Sequence, residues 1–295
     1  MHVCSLDCGI EIRGEVSERA LVNDFARRYI PELEICSGES DATVVWENGR
    51  NCVEILEIQL GDEDTFRIRS APPQPYINEH PYFFLLHVFS RLYEKRGYLL
   101  FTDTAVFSSK GKGVMLIGPP HTGKSTLMVL AIGHGFVPLS NENSVFEVKN
   151  GKLFFLGGAT TLTFSSKVEK FLNVEKDGVT RSGYGMLDLR KFHRKRAKIE
   201  KIFYLNSSFR SRGFDKEEIS GRKITKILWD YSSKIINGGE FYEEFPPNLS
   251  TPELSRARAQ KIKEIARVYR GKFLEVFGSH GGIFEGILEE MGWRG

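Results

Sequence analysis

Apolar positions along this chain outline its elements before any residue is assigned a chemistry. Residues 43–46 and 51–58 read as short strands flanking Asn48-Gly49, a hairpin signal, and 65–68 reads as a further strand. Leu21, Phe25 and Tyr29 recur at helical spacing behind a Ser17 start. The stretch 82–93 is apolar enough to predict a buried helix, closed by Gly97, and strand resumes at 98–101. An apolar strand at 114–117 is followed by a helix at 125–132 that ends at Gly133. Segments 144–148 and 153–156 flank Asn150-Gly151, a second hairpin signal. Ile224, Ile227, Leu228, Tyr231 and Ile235 form one helical stripe, with Ser220 as cap and Gly238 as stop. Thr251-Pro252-Glu253 opens a helix to Tyr269 that stops at Gly271, before a strand at 273–277 and a last short helix. The turn-rich segment 70–75 is the expected boundary region, giving an N-terminal α+β subdomain over 1–95 and a core over 96–295.

Composition adds few constraints. At 295 residues, 41% hydrophobic and 27% charged, the chain has the profile of an ordinary globular protein and no sign of disorder. A net charge of +3 is too small to argue for nucleic acid or an anionic membrane, although it conceals a basic run at 190–198. No nucleic-acid or membrane partner is expected, and a homo-oligomer is compatible with the composition. The first residues lack the basic start and apolar run of a signal peptide, so the cytoplasm is the expected compartment. All four cysteines, Cys4, Cys8, Cys36 and Cys52, lie in the first fifth of the chain. Cys36 and Cys52 are too far apart to make a second close ligand pair, so free, partly buried thiols are expected rather than a zinc site.

The chemistry is concentrated at residues 118–125, which spell Gly-x-x-x-x-Gly-Lys-Ser directly after the 114–117 strand and before a helix. This is a P-loop, or Walker A, pattern in its required context. Glycines let consecutive backbone N–H groups curl around phosphate oxygens at the positive end of a helix. Gly118, His121, Thr122, Gly123, Lys124, Ser125 and Thr126 are the expected nucleotide-binding residues, with Lys124 reaching the β- and γ-phosphates and Ser125 offering a hydroxyl to Mg²⁺. His121 fills an unconstrained position, where its backbone matters more than its ring.

From Tyr98 through Ser125 the chain resembles the HPr kinase/phosphorylase family, kinases whose P-loop core is shared with phosphoenolpyruvate carboxykinases. The resemblance implies an α/β fold with a P-loop PEP carboxykinase-like core and mixed sheet, next to a smaller N-terminal β-rich subdomain. In that family two adjacent aspartates follow the P-loop helix. Counting forward from Gly135 puts the pair here at Asn141 and Glu142, and counting back from Val145 puts it at Glu142 and Asn143. Residues 182–189 look like the family's glycine segment, with Ser182 in place of its arginine and Arg181 adjacent, and 199–205 corresponds to a core strand. A family histidine before the P-loop is Thr102 or a neighbour, and a glutamate-x-arginine element is missing.

The resemblance implies a Mg²⁺-dependent kinase that moves the γ-phosphoryl group of ATP or another nucleoside triphosphate to a hydroxyl on a protein serine or a small alcohol. Glu142, Lys124 and Arg181 are the expected catalytic residues, with Arg210 and Arg212 as further candidates for transition-state charge, and Ser125, Asn141 and Glu142 the expected metal ligands. A nucleotide-binding regulatory or assembly protein, weakened by the loss of its aspartates, is the alternative. A decarboxylating carboxykinase ranks last, because its additional metal ligands and anion-binding arginines find no place in the sequence.

Overall fold

The computed structural model describes residues 1–172, 176–193, 196–207, 213–239 and 246–293, and among these the protein is α/β with mixed sheets. The first ninety-odd residues supply strands β1 (His2–Ser5), β2 (Cys8–Gly14), β3 (Glu34–Ile35), β4 (Ala42–Glu47), β5 (Glu54–Gln59) and β6 (Asp64–Arg69), with helices α1 (Glu18–Leu21), α2 (Asp24–Tyr29) and α3 (His80–Lys95). The six strands form one sheet in the order β3-β1-β2-β4-β6-β5, with β2, β4 and β6 parallel and β5 antiparallel to β6.

Three expectations change here. The spacing of Leu21, Phe25 and Tyr29 resolves into two short helices, because Asn23 ends the first and caps the second by accepting from Ala26 N at 3.0 Å. Asn48-Gly49 is not a hairpin turn. β6, which buries Phe66 and Ile68, takes the place beside β4, and β5, exposed or half-buried along its length, is left at the edge. Gly49 instead carries the chain across the end of β6, where a Cβ would meet Arg69 Cγ at 2.6 Å and Ser70 N at 3.0 Å. Nor are all four cysteines free. Cys4 and Cys36 are joined in a disulfide with a Cα–Cα separation of 5.8 Å, because β1 pairs with β3 and brings residues 32 apart in sequence together. Cys8 is buried and Cys52 exposed as thiols, and burial pushes the Cys8 thiol up to about 12, which leaves little thiolate there.

Helix α3 is buried around most of its circumference, as its apolar run predicts. One apolar cluster extends from the first sheet through α3 to Leu100, Val145, Ile236 and Leu249. Two buried charges beside it are paired, which burial requires. Arg91 grips Asp64 through Nε and Nη2 at 2.7 and 3.0 Å and donates Nη1 to Leu249 O, while Arg258 donates to Glu94 at 2.6 Å with its guanidinium over Trp229.

The second sheet contains β7 (Tyr98–Ser109), β8 (Lys112–Ile117), β9 (Val137–Lys149) and β10 (Lys152–Gly158), and the later strands β14 (Lys198–Ser207), β15 (Phe214–Glu218) and β16 (Phe273–Gly278). Their order is β10-β9-β7-β8-β14-β16-β15, with only β8, β14 and β16 mutually parallel. Asn150 and Gly151, at φ 51° and 72°, make the predicted β9–β10 turn. Side chains alternate along β8, so that Val114 and Leu116 pack against α4 (Lys124–Gly133) and α8 (His280–Met291), while Met115 and Ile117 face α6 (Gly221–Ser233) and α7 (Pro252–Val268). A three-stranded sheet of β11 (Thr161–Phe164), β12 (Gly178–Val179) and β13 (Gly185–Asp188) and the short helix α5 (Ser166–Leu172) lie between these parts in the chain. The predicted stripe of α6 runs past its end, since Ile235 lies beyond Ser233, and Ser220 precedes the helix without a side-chain capping bond. The left-handed residue that closes α4 is Gly135 rather than Gly133. No helix among the described residues is long and apolar enough to cross a membrane.

Candidate functional site

The glycine loop joins the C-terminal end of β8 to α4, where β8 and β14 run parallel, the position at which open α/β sheets bind ligands. Gly123 is the helix cap and sits at φ 88°, so the N–H groups of Lys124, Ser125 and Thr126 begin the helix without intrahelical partners. A side chain at Gly123 would also run into His280 Nε2 and Ser207 Oγ, because the start of α8 and the end of β14 close on the loop from behind. Ser207 Oγ donates to Thr122 O, and His280 Nε2 lies 3.2 Å from Ser207 Oγ. With the serine proton directed at Thr122 O, His280 Nε2–H is the donor in this contact, and burial lowers the His280 pKa.

Gly123→Ala therefore imposes a left-handed backbone on a residue with a Cβ and displaces two packed side chains. The expected result is a loss of at least about 1 kcal/mol of stability, from the strain of a left-handed non-glycine residue, with loss of nucleotide affinity. Denaturant midpoints and nucleotide titration of the variant check it, and an unchanged midpoint would show that the loop relaxes freely.

The cavity in front of the loop has a volume of about 740 Å³. His121, Gly123, Lys124, Ser125 and Thr126 line it. Gly118 and Thr122 serve the loop itself. A Cβ on Gly118 would meet Thr122 Oγ1 at 3.0 Å and Leu205 O at 3.2 Å, and Thr122 Oγ1 donates to Pro119 O at 2.8 Å. His121 is exposed and holds φ 66°. Lys124 is buried, and its ammonium folds back onto Gly118 O at 2.6 Å and Pro119 O at 2.8 Å. Burial lowers its pKa, against the pull of Glu142 and Asp103.

Both carboxylates come from a bulge where β7 and β9 pair. Phe101 is opposite Ser144 and Thr104 opposite Glu142, so Thr102 and Asp103 together face Asn143. Asp103 and Glu142 hold φ 52° and 69°, and both line the cavity. Each has a cation beside it. Asp103 Oδ2 lies 3.2 Å from Lys234 Nζ, and Glu142 Oε1 lies 3.9 Å from Arg28 Nη2 on α2. The two asparagines that flank Glu142 are both buried. Asn141 turns Oδ1 toward Ser125 Oγ at 3.4 Å and leaves Nδ2 buried without a partner, whereas Asn143 donates to Tyr29 O at 2.7 Å.

Of the arginines expected near transferred charge, Arg181 is exposed and lines an adjoining cavity, while its neighbours Thr180 and Ser182 line the larger one. Arg210 and Arg212 lie outside the described residues. Sequence reasoning missed Asp103, Arg28 and His280 as cavity residues. Asp103 alone carried a signal, as a neighbour of Thr102. Thr102 is itself buried, and the carboxylate next to it is what the bulge presents.

No protein-family model and no curated protein matches the sequence. Among solved structures the chain is similar to the HPr(Ser) kinase/phosphatase from Coxiella burnetii, at a TM-score of 0.27 and 14% identity, covering 41% of this chain and 72% of that one. A likeness of that size assigns no family, so function has to be read from the loop and the groups that face it.

Proposed function

We propose that the protein is a Mg²⁺-dependent phosphotransferase that moves the γ-phosphoryl group of ATP or another nucleoside triphosphate to a hydroxyl, on a P-loop core of the PEP carboxykinase-like kind. The observation that carries this reading is the set of groups facing one cavity, the buried Lys124, Ser125 and the carboxylates of Glu142 and Asp103, with Asn141 Oδ1 accepting from the Ser125 hydroxyl. Transfer to an alcohol gains from a carboxylate that orients the acceptor and takes its proton.

In this reading the N–H groups at the start of α4 cradle the phosphates, and Lys124 leaves the carbonyls of Gly118 and Pro119 to reach the β- and γ-oxygens. The hydroxyl of Ser125, the amide oxygen of Asn141 and the carboxylate of Glu142 are hard oxygen donors of the kind Mg²⁺ takes, and they would hold it together with the phosphates. When bound, the ion neutralises phosphate charge. The unpartnered Asn141 Nδ2 has a phosphate oxygen as its natural acceptor. Glu142 orients the acceptor hydroxyl and removes its proton as the phosphoryl group arrives, while Asp103, held by Lys234, keeps the floor of the site negative opposite Lys124.

Incubation with γ-labelled ATP and a cell extract, later split into protein and small-molecule fractions, tests the reading. Mg²⁺-dependent label in one fraction is expected. Label released only as inorganic phosphate would reduce the activity to hydrolysis, and none at all would leave a nucleotide-binding regulator.

A further inference from the structure

Beside the cavity before the loop lies a second one of about 260 Å³, and the two share Arg28, Tyr76, Thr163 and Thr180 among their lining residues. No residue of the glycine loop lines the second cavity, so it is the side from which a phosphoryl acceptor can approach while the nucleotide occupies the loop. Two arginines face it from opposite parts of the chain, Arg28 on α2 and Arg181 on the turn between β12 and β13. The one carboxylate on its wall, Asp24, lies 3.7 Å from Arg27, which leaves the cavity positive in balance. Arg28 Nε is buried without a hydrogen-bond partner, and its nearest carboxylate contact, Glu142 at 3.9 Å, is too long for a hydrogen bond. Arg181 forms no ion pair among the described residues.

We infer that this side cavity is the acceptor subsite, and that the acceptor is a small alcohol carrying a carboxylate or phosphate group, which seats between Arg28 and Arg181. The inference rests on the phosphotransferase reading for the word acceptor, and on the cavity and its two guanidiniums for the anion. A guanidinium with free N–H donors takes carboxylate or phosphate oxygens in a planar, often bidentate, geometry. A volume of about 260 Å³ falls just under the roughly 300 Å³ at which drug-sized sites begin, so the occupant is a molecule of few heavy atoms. Arg28 then spans both functions. The same side chain that holds the anion stands beside Glu142, so a hydroxyl a few bonds from the anion lies at the carboxylate that removes its proton.

The test is equilibrium binding to the full chain saturated with Mg²⁺ and ADP, with D-glycerate, glycerol 3-phosphate and glycerol as probes and a seryl peptide with flanking aspartates as a further arm. At least one of the two anions is expected to bind ten times more tightly than glycerol. That advantage should disappear in Arg181→Ala, persist in part in Arg181→Lys, and disappear in Arg28→Ala, with the affinity of Arg181→Ala for ADP unchanged. Three outcomes overturn the inference: neither anion binds better than glycerol, the advantage survives in both alanine variants, or only the peptide binds. Loss of ADP binding in the wild type would instead strike the P-loop reading, and anion binding without phosphoryl transfer would retain the subsite while removing the kinase.

Discussion

Lys124→Ala is expected to abolish the stabilisation that nucleotide gives the wild-type protein. A ligand that binds only the native state adds RT ln(1 + [L]/Kd), about 2.7 kcal/mol at a hundredfold excess over Kd, which raises Tm by several degrees in a chain of this size. On the proposed reading the lysine supplies the mobile positive charge that reaches the phosphates, and no other lysine or arginine lies in the loop. The variant also loses two hydrogen bonds to the carbonyls of Gly118 and Pro119, so its Tm without ligand will move as well. The decisive quantity is therefore the ligand-induced difference in Tm, measured with ATP, GTP, ADP and pyrophosphate at millimolar concentration with Mg²⁺. A wild type that none of them moves would remove the P-loop reading, and a Lys124→Ala variant that keeps the full shift would place the nucleotide elsewhere.

The strand, glycine loop and helix were legible because that unit is local: all three lie within 20 positions of Ser125, and the glycines announce the backbone conformation. Glu142 was reached through the family resemblance, but the groups that face the loop from distant parts of the chain were not legible. Arg28 and His280 reach it from α2 and from the start of α8, and nothing in their own segments signals a partner so distant in sequence. The two Asn-Gly pairs show where local signals stop. Asn150 and Gly151 both take positive φ and close β9 onto β10, whereas Asn48 and Gly49 do not, because the strand that pairs with β4 comes later in the chain. The dipeptide permits a turn, and which of β5 and β6 takes the inner position beside β4 decides whether it forms a hairpin. The disulfide was missed for the same reason, since only the pairing of β1 with β3 brings Cys4 to Cys36.

Glu142→Gln is expected to lower the rate of phosphoryl transfer by roughly 10² to 10⁴-fold, the usual contribution of a positioned acid or base, while changing nucleotide affinity far less. Glutamine keeps the size of the side chain and its hydrogen bonding but cannot accept the proton. Two carboxylates face the cavity, and their surroundings distinguish them. Asp103 is gripped by Lys234 at 3.2 Å and is the more buried, with 14% of its side chain exposed against 26% for Glu142, which meets its own cation only at 3.9 Å. The carboxylate with lone pairs to spare is Glu142, so Asp103→Asn should cost less in transfer than Glu142→Gln. The two asparagines give an independent check on the metal side. Asn141 contacts Ser125 and Asn143 contacts Tyr29 O, so Asn141→Ala should raise the Mg²⁺ concentration needed for half-maximal transfer, while any effect of Asn143→Ala should fall on stability. Single-turnover transfer over a range of Mg²⁺ separates these effects. A wild-type rate in Glu142→Gln, accompanied by a large loss in Asp103→Asn, would move the proton to Asp103 and reverse the roles of the two strands at the bulge.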